Sequence, residues 1–209
     1  MQRADWYFDF ISPFSYLQLE LFDRLPADVR VTLKPILFAG LLTHHGHKGP
    51  AEIAEKRRFT YRHVLWTARH MGIPLRFPDA HPFNPIKLLR LAIVCGCRRD
   101  AVRAIFRYVW RDGHLPDDAG SFAALTDMLH VADVERQIDA QPVKDQLRSN
   151  GAEAIARGVF GVPTFAIGAN LFWGVDATQF VIDQFADPTL LLDPEMQRVS
   201  QLPIASARK

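Results

Sequence analysis

Residues 5–17 read DWYFDFISPFSYL and decide the fold of the chain. Large aromatic residues alternate as far as Phe10, which is typical of a β-strand. Ser12 and Pro13 then suit the N-cap and first position of a helix, because proline lacks only an N–H that would be unpaired there. The stretch therefore predicts strand, tight turn and helix. It places the Ser12 hydroxyl at the positive end of the helix, where negative charge is favoured.

A second stretch, VFGVPTFAI at residues 159–167, complements the first. Residues 12–15, Ser-Pro-Phe-Ser, have the spacing and the position after a first strand at which thioredoxin-like proteins carry Cys-x-x-Cys. A Val-Pro-Thr that opens a later strand is where that fold places a cis-proline, although trans is the commoner isomer. The alternative is that Ser12 only caps a helix and Pro163 only starts a strand. The two stretches together favour a functional site at Ser12 and Pro163 over these purely structural interpretations.

Four motifs carry a family resemblance: FDFISPFSYL at 8–17, GIPL at 72–75, FGVPT at 160–164 and WGVD at 173–176. With these motifs, spread in order over almost the whole chain, the sequence resembles the 2-hydroxychromene-2-carboxylate isomerase family. That family groups with kappa-class glutathione transferases and DsbA-like proteins. The resemblance implies an α/β, thioredoxin-like fold with a large α-helical insertion.

The chain is predicted to form a single DsbA-like unit over residues 1–209. Its thioredoxin-like core comprises 1–36 and 158–186, and helical patterns over 51–157 form the insertion. Glycines and histidines between residues 37 and 50 predict an ordered but adaptable loop. Residues 187–209 are expected to form a tail with few helix signals.

Composition excludes several classes of function. With 25 basic and 23 acidic residues the net charge is +2, so no strong field points to nucleic acid or to a membrane surface. No apolar run is long enough to cross a bilayer, and no secretory leader is evident. Cys95 and Cys97 are expected to be buried free thiols in a reducing compartment. We therefore expect a cytoplasmic protein.

The resemblance implies that glutathione is the cofactor. In that interpretation the Ser12 hydroxyl donates to the cofactor's sulfur and, with the helix N-terminus, lowers the thiol pKa from about 8.5. The backbone of Val162, beside Pro163, is expected to bind the cysteinyl part like an added strand. A serine nucleophile is disfavoured, because no nucleophile elbow or evident triad accompanies Ser12.

Two further contacts follow from the resemblance. Gly174 lets the backbone approach a ligand, while the Val175 main chain and the Asp176 carboxylate would take the γ-glutamyl end. The alternative is that Asp176 only caps the following helix. Asn84 is expected to face the cleft and order substrate, although a turn asparagine bonded to its own backbone is an open alternative.

Residues His44, His45 and His47 raise a zinc hypothesis, but they lack helical i, i+4 spacing and nearby cysteines. A solvated segment is the better interpretation, and no metal is predicted. Arg57 and Arg58 could steer an anionic substrate or could simply be solvated.

The positions expected to contact the acceptor substrate depart from the family pattern. Where basic and amide side chains are expected, the sequence offers Leu41, Leu42, Glu52 and Ile53. The function predicted is a glutathione-dependent isomerisation of an aromatic-derived conjugated acid. The alternatives are a kappa-like transferase or peroxidase, and a non-catalytic thioredoxin-fold binder of thiols or peptides. A homodimer is possible from the resemblance.

Overall fold

The structure, a computed structural model, describes residues 2–206 and begins with a βαβ unit. Strand β1 (Gln2–Phe8) leads through helix α1 (Pro13–Glu20) to strand β2 (Val29–Pro35). The two strands are parallel, with Trp6 opposite Leu33. This arrangement places Ser12 just beyond the carboxyl end of β1, at the point where α1 begins.

The second half of the sheet is antiparallel. Strands β3 (Thr164–Ile167) and β4 (Asn170–Trp173) form a hairpin, and β3 also pairs with β1. The strand order is β2-β1-β3-β4, so β1 lies in the interior of the sheet. The fold predicted from the sequence, a thioredoxin-like sheet interrupted by helices, is confirmed.

The helical region between the two halves packs against β1 and α1. Its apolar side chains join the aromatic residues of β1, and the Phe10 and Phe106 ring centroids are 4.5 Å apart. Its helices are α3 (Ala54–His70), α4 (Ile86–Val94), α5 (Arg99–Trp110), α6 (Ala119–Met128), α7 (Val134–Asp139) and α8 (Gln141–Ala156). In the part of the chain described, no helix is long and apolar enough to cross a membrane.

The loop prediction for residues 37–50 is wrong over most of its length, because helix α2 occupies Phe38–His45. Leu37 at the N-cap has no side-chain bond to offer. Instead the Asp9 carboxylate accepts the Phe38 N–H at 2.8 Å. The cap therefore comes from a residue distant in sequence, which local patterns do not reveal.

The tail also contains more helix than expected. After α9 (Thr178–Ala186) a 3₁₀ turn at Leu190–Leu192 precedes α10 (Pro194–Ser200). The Asp193 side chain caps α10 by accepting from two backbone N–H groups. Residues 207–209 lie outside the described part of the tail, and the division of the chain into core, insertion and tail stays a prediction.

A buried glutamine ties α1 to the loop after β4. Gln18 is 0% exposed, and its Oε1 accepts the Trp6 indole N–H at 2.7 Å. Its Nε2 donates to the Gly174 carbonyl at 2.8 Å and to the Thr178 hydroxyl at 3.2 Å. Because buried polar groups left unpaired are costly, this side chain fixes how the two segments meet.

We expect the substitution Gln18→Leu, which keeps the volume but removes these bonds, to lower the free energy of unfolding by about 2–4 kcal/mol. Chemical denaturation measures the loss. Gln179→Leu is the matched control, because Gln179 is exposed and bonds only to surface partners. Equal stability of the Gln18 and Gln179 variants would contradict the proposed tie.

Candidate active site

Ser12 is the N-cap of α1 and is only 8% exposed. Its Oγ accepts the Ser15 N–H at 3.3 Å, which leaves the hydroxyl hydrogen available to another acceptor. Within residues 2–206 the Phe14 N–H donates to no acceptor. Ser12 and Phe14 thus present two unused donors at the N-terminus of α1, the end of a helix that favours an anion.

The turn before Ser12 is held by hydrogen bonds from two other segments and by one bond within itself. The Trp110 indole N–H donates to the Phe10 carbonyl at 2.8 Å, and His81 Nε2 lies 2.9 Å from the Ile11 carbonyl. The Ser12 N–H donates to the Asp9 carbonyl at 3.1 Å. The backbone is therefore fixed immediately before the Ser12 side chain.

The Asp9 carboxyl group is fully buried and makes two backbone bonds. It accepts the Ile11 N–H at 3.1 Å and the Phe38 N–H at 2.8 Å, so it joins the turn to α2. Burial raises the pKa of Asp9 to about 7, and the hydrogen bonds from Phe38, Ile11 and Phe10 oppose that rise. Burial therefore favours the neutral form of Asp9 beside the Ser12 turn.

Val162 and Pro163 form the second part of the site. The Val162–Pro163 peptide bond is cis, as expected from the sequence, and His81–Pro82 is also cis. Nowhere in residues 2–206 does the backbone N–H or C=O of Val162 find a hydrogen-bond partner. Val162 thus offers a free main-chain edge of the kind that binds an extended peptide.

The Trp173–Asp176 segment is joined to the same place. The Gly174 N–H donates to the Pro163 carbonyl at 2.9 Å, and its carbonyl accepts from Gln18 on α1. Gly174 has φ +95°, and a side chain there would collide with the Asp176 carboxylate. These bonds join Pro163, Gly174 and, through Gln18, helix α1. The pairing of β1 with β3, with Tyr7 opposite Thr164, places Val162 and Pro163 beside the end of β1, after which Ser12 follows.

Asp176 does not begin the following helix. Helix α9 starts at Thr178 with Ala177 as its N-cap and no side-chain capping bond. In the described chain the exposed Asp176 carboxylate accepts no hydrogen bond and forms no ion pair. This leaves it available to a ligand, and the alternative interpretation as a simple helix cap is wrong.

Asn84 lies elsewhere on the Pro-rich segment and is exposed. Its Oδ1 accepts the Ile86 N–H at 3.1 Å, and its own N–H points at the Asp117 carboxylate at 3.2 Å. These contacts match the turn interpretation. The role of Asn84 toward substrate stays a prediction without a supporting contact.

The residues first considered for metal binding lie mostly on α2. The His45 imidazole lies 3.1 Å from the Val159 carbonyl, and its ring stacks on that of His47. Over residues 2–206 no group of three potential ligands is close enough to hold a metal ion.

Aromatic side chains of α1 and α3 meet next to the Ser12 turn. Phe14, next to Pro13, faces the ring of His63 at a centroid distance of 6.1 Å, and His63 stacks on Phe59 at 5.5 Å. Leu41 is buried, and the Glu52 carboxylate is occupied by the Gly49 N–H at 2.5 Å. The wall beside Ser12 thus comes from α1 and α3.

Sequence reasoning missed Asp9, Gln18 and His81, which hold the site together. Asp9 could have been noticed from the sequence, because a polar residue within an aromatic strand is typical of a buried group that makes hydrogen bonds. Gln18 and His81 gave no signal, because their partners are far away in sequence.

A family model for the DSBA-like thioredoxin domain matches residues 3–186. The chain therefore belongs to the DsbA-like thioredoxin family. It is 31% identical over 183 residues to a 2-hydroxychromene-2-carboxylate isomerase of Pseudomonas putida, covering 83% of this chain and 89% of that one. Within the family it accordingly belongs to the group of these isomerases and the kappa-class glutathione transferases.

Two other relatives agree with that placement. Glutathione S-transferase kappa 2 of Caenorhabditis elegans is 28% identical over 205 residues, covering 88% of this chain and 91% of the relative. A solved structure of 2-hydroxychromene-2-carboxylate isomerase superposes with a TM-score of 0.77 at 24% identity. That superposition covers 93% of this chain and 98% of the other, and it shows that the fold is shared.

The buried Asp9 carboxyl predicts a pH-dependent stability. The folded state keeps the proton up to about pH 7, whereas an unperturbed carboxyl releases it near 3.8. Because the folded state binds more protons in this window, the free energy of unfolding should fall as the pH rises through it. In Asp9→Asn this part of the pH dependence of the unfolding free energy should be absent.

The measurement is the difference in unfolding free energy between wild type and Asp9→Asn at several pH values. Asp28→Asn, at an exposed carboxylate, is the control and should keep the wild-type slope. Parallel curves for wild type and Asp9→Asn would show that Asp9 does not titrate as inferred.

Proposed function

We propose that the protein is a glutathione-dependent isomerase of the 2-hydroxychromene-2-carboxylate isomerase type. The observation that carries the proposal is the pair of unused donors, the Ser12 hydroxyl and the Phe14 N–H, at the N-terminus of α1. Such a place stabilises a thiolate over a thiol. The names of the isomerase and kappa-class relatives support the same cofactor and reaction.

Glutathione fits the residues around Ser12. The unpaired N–H and C=O of Val162 suit the cysteinyl part of the cofactor, and Gly174, whose positive φ brings the Asp176 carboxylate against its backbone, places that carboxylate at the edge of the same site. The Asp176 carboxylate, which has no partner of its own in the described chain, suits the γ-glutamyl ammonium group. The Val175 main chain would contact the same end of the cofactor.

Bound glutathione would supply a thiolate that adds reversibly to a conjugated aromatic-derived acid, so that the acid rotates about a bond that has become single. The protein's own part is electrostatic and geometric. Ser12 donates its hydroxyl hydrogen to the sulfur, and the helix end adds an N–H and its positive potential. The fixed turn keeps these donors aimed before substrate arrives, which avoids reorganisation during the reaction.

The aromatic acceptor would lie against the wall formed by Phe14, His63 and Phe59. Arg57, which is exposed on α3 and forms no ion pair among the described residues, would steer the anionic acceptor toward the site from another face of the helix. Arg57 is close enough to Tyr61 to lower the pKa of that phenol, although burial raises it overall. Arg58, by contrast, is paired with Glu55 at 2.8 Å.

A kappa-like transferase or peroxidase is the second candidate, and the acceptor side favours it. At the positions where the family is expected to carry basic and amide side chains the chain has Leu41, Leu42, Glu52 and Ile53; Leu41 is buried and Glu52 is bonded to Gly49. A non-catalytic binder of thiols or peptides would bind glutathione or a peptide without forming a thiolate. Product analysis with glutathione and an electrophile separates the transferase, which consumes glutathione, from the isomerase, which does not.

We also propose a cytoplasmic location and a homodimer. Cys95 and Cys97 are free thiols, and burial raises the pKa of both, as suits a reducing compartment. Trp66 on α3 is 56% exposed, and a second subunit would cover an apolar side chain of this size.

Ser12→Ala should raise the pKa of the bound glutathione thiol toward about 8.5, because the variant lacks the hydroxyl donor. The thiolate absorbance of bound glutathione, followed across pH, measures this shift. Ser15→Ala is the matched control, because the Ser15 hydroxyl is buried and makes no bond within the described residues. A thiolate that forms identically in wild type and Ser12→Ala would disprove the assignment.

Asp176→Asn should weaken glutathione binding about tenfold, the cost of losing one charge-assisted contact to the glutamyl ammonium. Calorimetry measures the dissociation constant. Asp183→Asn on α9 is the control, since that carboxylate accepts from Gln179. A glutathione analogue without the α-amino group should bind wild type and Asp176→Asn equally, and a persisting difference would refute the contact.

A further inference from the structure

His81 connects the Pro-rich segment before α4 to the turn that carries Ser12. Its Nε2 lies 2.9 Å from the carbonyl oxygen of Ile11, the residue that precedes Ser12. A carbonyl can only accept, so Nε2 carries the hydrogen and Nδ1 is left with a lone pair in the neutral ring. The bond from His81 fixes one end of the Ile11–Ser12 peptide.

Tyr61 on α3 completes the arrangement from the other side of the ring. The Tyr61 hydroxyl lies 2.6 Å from His81 Nδ1 and 2.9 Å from the His81 carbonyl oxygen. The single hydroxyl hydrogen is shared between the two acceptors, the His81 carbonyl and the Nδ1 lone pair, which is the arrangement that suits a neutral ring donating from Nε2 to Ile11. Burial lowers the pKa of His81 and raises the pKa of Tyr61, so both groups are neutral at pH 7.

The imidazole is also held by aromatic rings. The centroids of Phe83 and Trp110 lie 5.8 Å and 5.3 Å from that of His81, both in edge-on orientation. Trp110 itself donates to Phe10, one residue before Ile11. Rings that are packed in this way leave the imidazole little freedom to turn away from the Ile11 carbonyl.

We propose that His81 is a positioning residue for Ser12 and that Tyr61, bonded on the other side of the ring, stabilises the tautomer that donates to the Ile11 carbonyl. The Ile11 carbonyl and the Ser12 N–H belong to one planar peptide, so a bond to the former fixes the orientation of the latter. The peptide in turn sets the position of the Ser12 Cα, from which the side chain carrying the hydroxyl departs. The proposal rests on the proposed function, since it concerns how Ser12 meets the glutathione sulfur.

The arrangement also couples the two sides of the site. Tyr61 lies on the same helix as Phe59 and His63, which form the aromatic wall for the acceptor. A displacement of α3 on binding the acceptor would therefore reach Ser12 through Tyr61, His81 and Ile11. The chain of hydrogen bonds supplies a physical connection between acceptor binding and the thiolate donor.

The experiment compares His81→Leu, His81→Gln and Tyr61→Phe. In His81→Leu the pKa of the bound glutathione thiol should rise by about one unit, a tenfold loss of thiolate at a pH below the pKa. His81→Gln should restore most of the shift, because a glutamine amide can place an N–H near the position of Nε2. Tyr61→Phe should give an intermediate shift.

A readout without glutathione accompanies these measurements. Nitrogen-15 NMR of the free wild type should show the His81 ring protonated on Nε2 alone, and Tyr61→Phe should show a mixture of tautomers. Phe122→Leu on α6 is the structural control: Phe122 is buried in the core but does not contact His81, so the variant should lower the thermal stability without moving the thiol pKa. A merely structural His81 would behave like Phe122.

The outcomes separate the two proposals. If wild type forms no thiolate at lowered pKa, the proposed function fails and the role of His81 toward it fails as well. If wild type forms the thiolate and both Tyr61→Phe and His81→Leu leave its pKa unchanged, only the positioning role is overturned. If His81→Leu does not fold, the thiol pKa of Tyr61→Phe decides whether the positioning role holds. That variant keeps the aromatic ring and loses only the hydroxyl.

Discussion

The hydrogen bonding of the four-residue turn 9–12 is the constraint on which the site depends. A helix N-terminus can favour an anion only if its first residues are held still, and a loop between strand and helix is the least rigid part of a βαβ unit. Here Asp9, Trp110 and His81 occupy the polar backbone groups on both sides of Ile11. The helical insertion, which supplies Trp110, is thereby part of the site's support.

The sequence was sufficient for the elements whose signals are local. The aromatic strand, the Ser12–Pro13 helix start and the Pro163 turn are each specified by neighbouring residues, and the structure has all three. Helix α2 could not be predicted in this way, because its cap is the Asp9 carboxylate from another segment. Helix α10 could have been predicted, since Asp193 followed by Pro194 is a local start signal.

The candidate site shows the same difference between what local sequence signals predict and what they do not. Motif resemblance predicted the residues that would touch glutathione, and the structure joins Pro163 to Gly174 by a backbone bond and Gly174 to α1 through Gln18. It did not find the residues that hold them. Buried polar side chains such as Gln18 and His81 act through partners far along the chain, and one sequence does not show which distant groups meet.

The buried hydroxyl of Ser15 has a chemical consequence beyond the fold. In a Cys-x-x-Cys relative this position holds the second sulfur, and an oxidant can close a disulfide with the first. With serine at 12 and 15 no such bond can form. The remaining thiols are poor nucleophiles, since burial raises the pKa of Cys97 to about 11. Oxidative stress that would inactivate a dithiol relative should leave this helix terminus chemically intact, and a damaged sulfur of a dissociable cofactor could simply be exchanged.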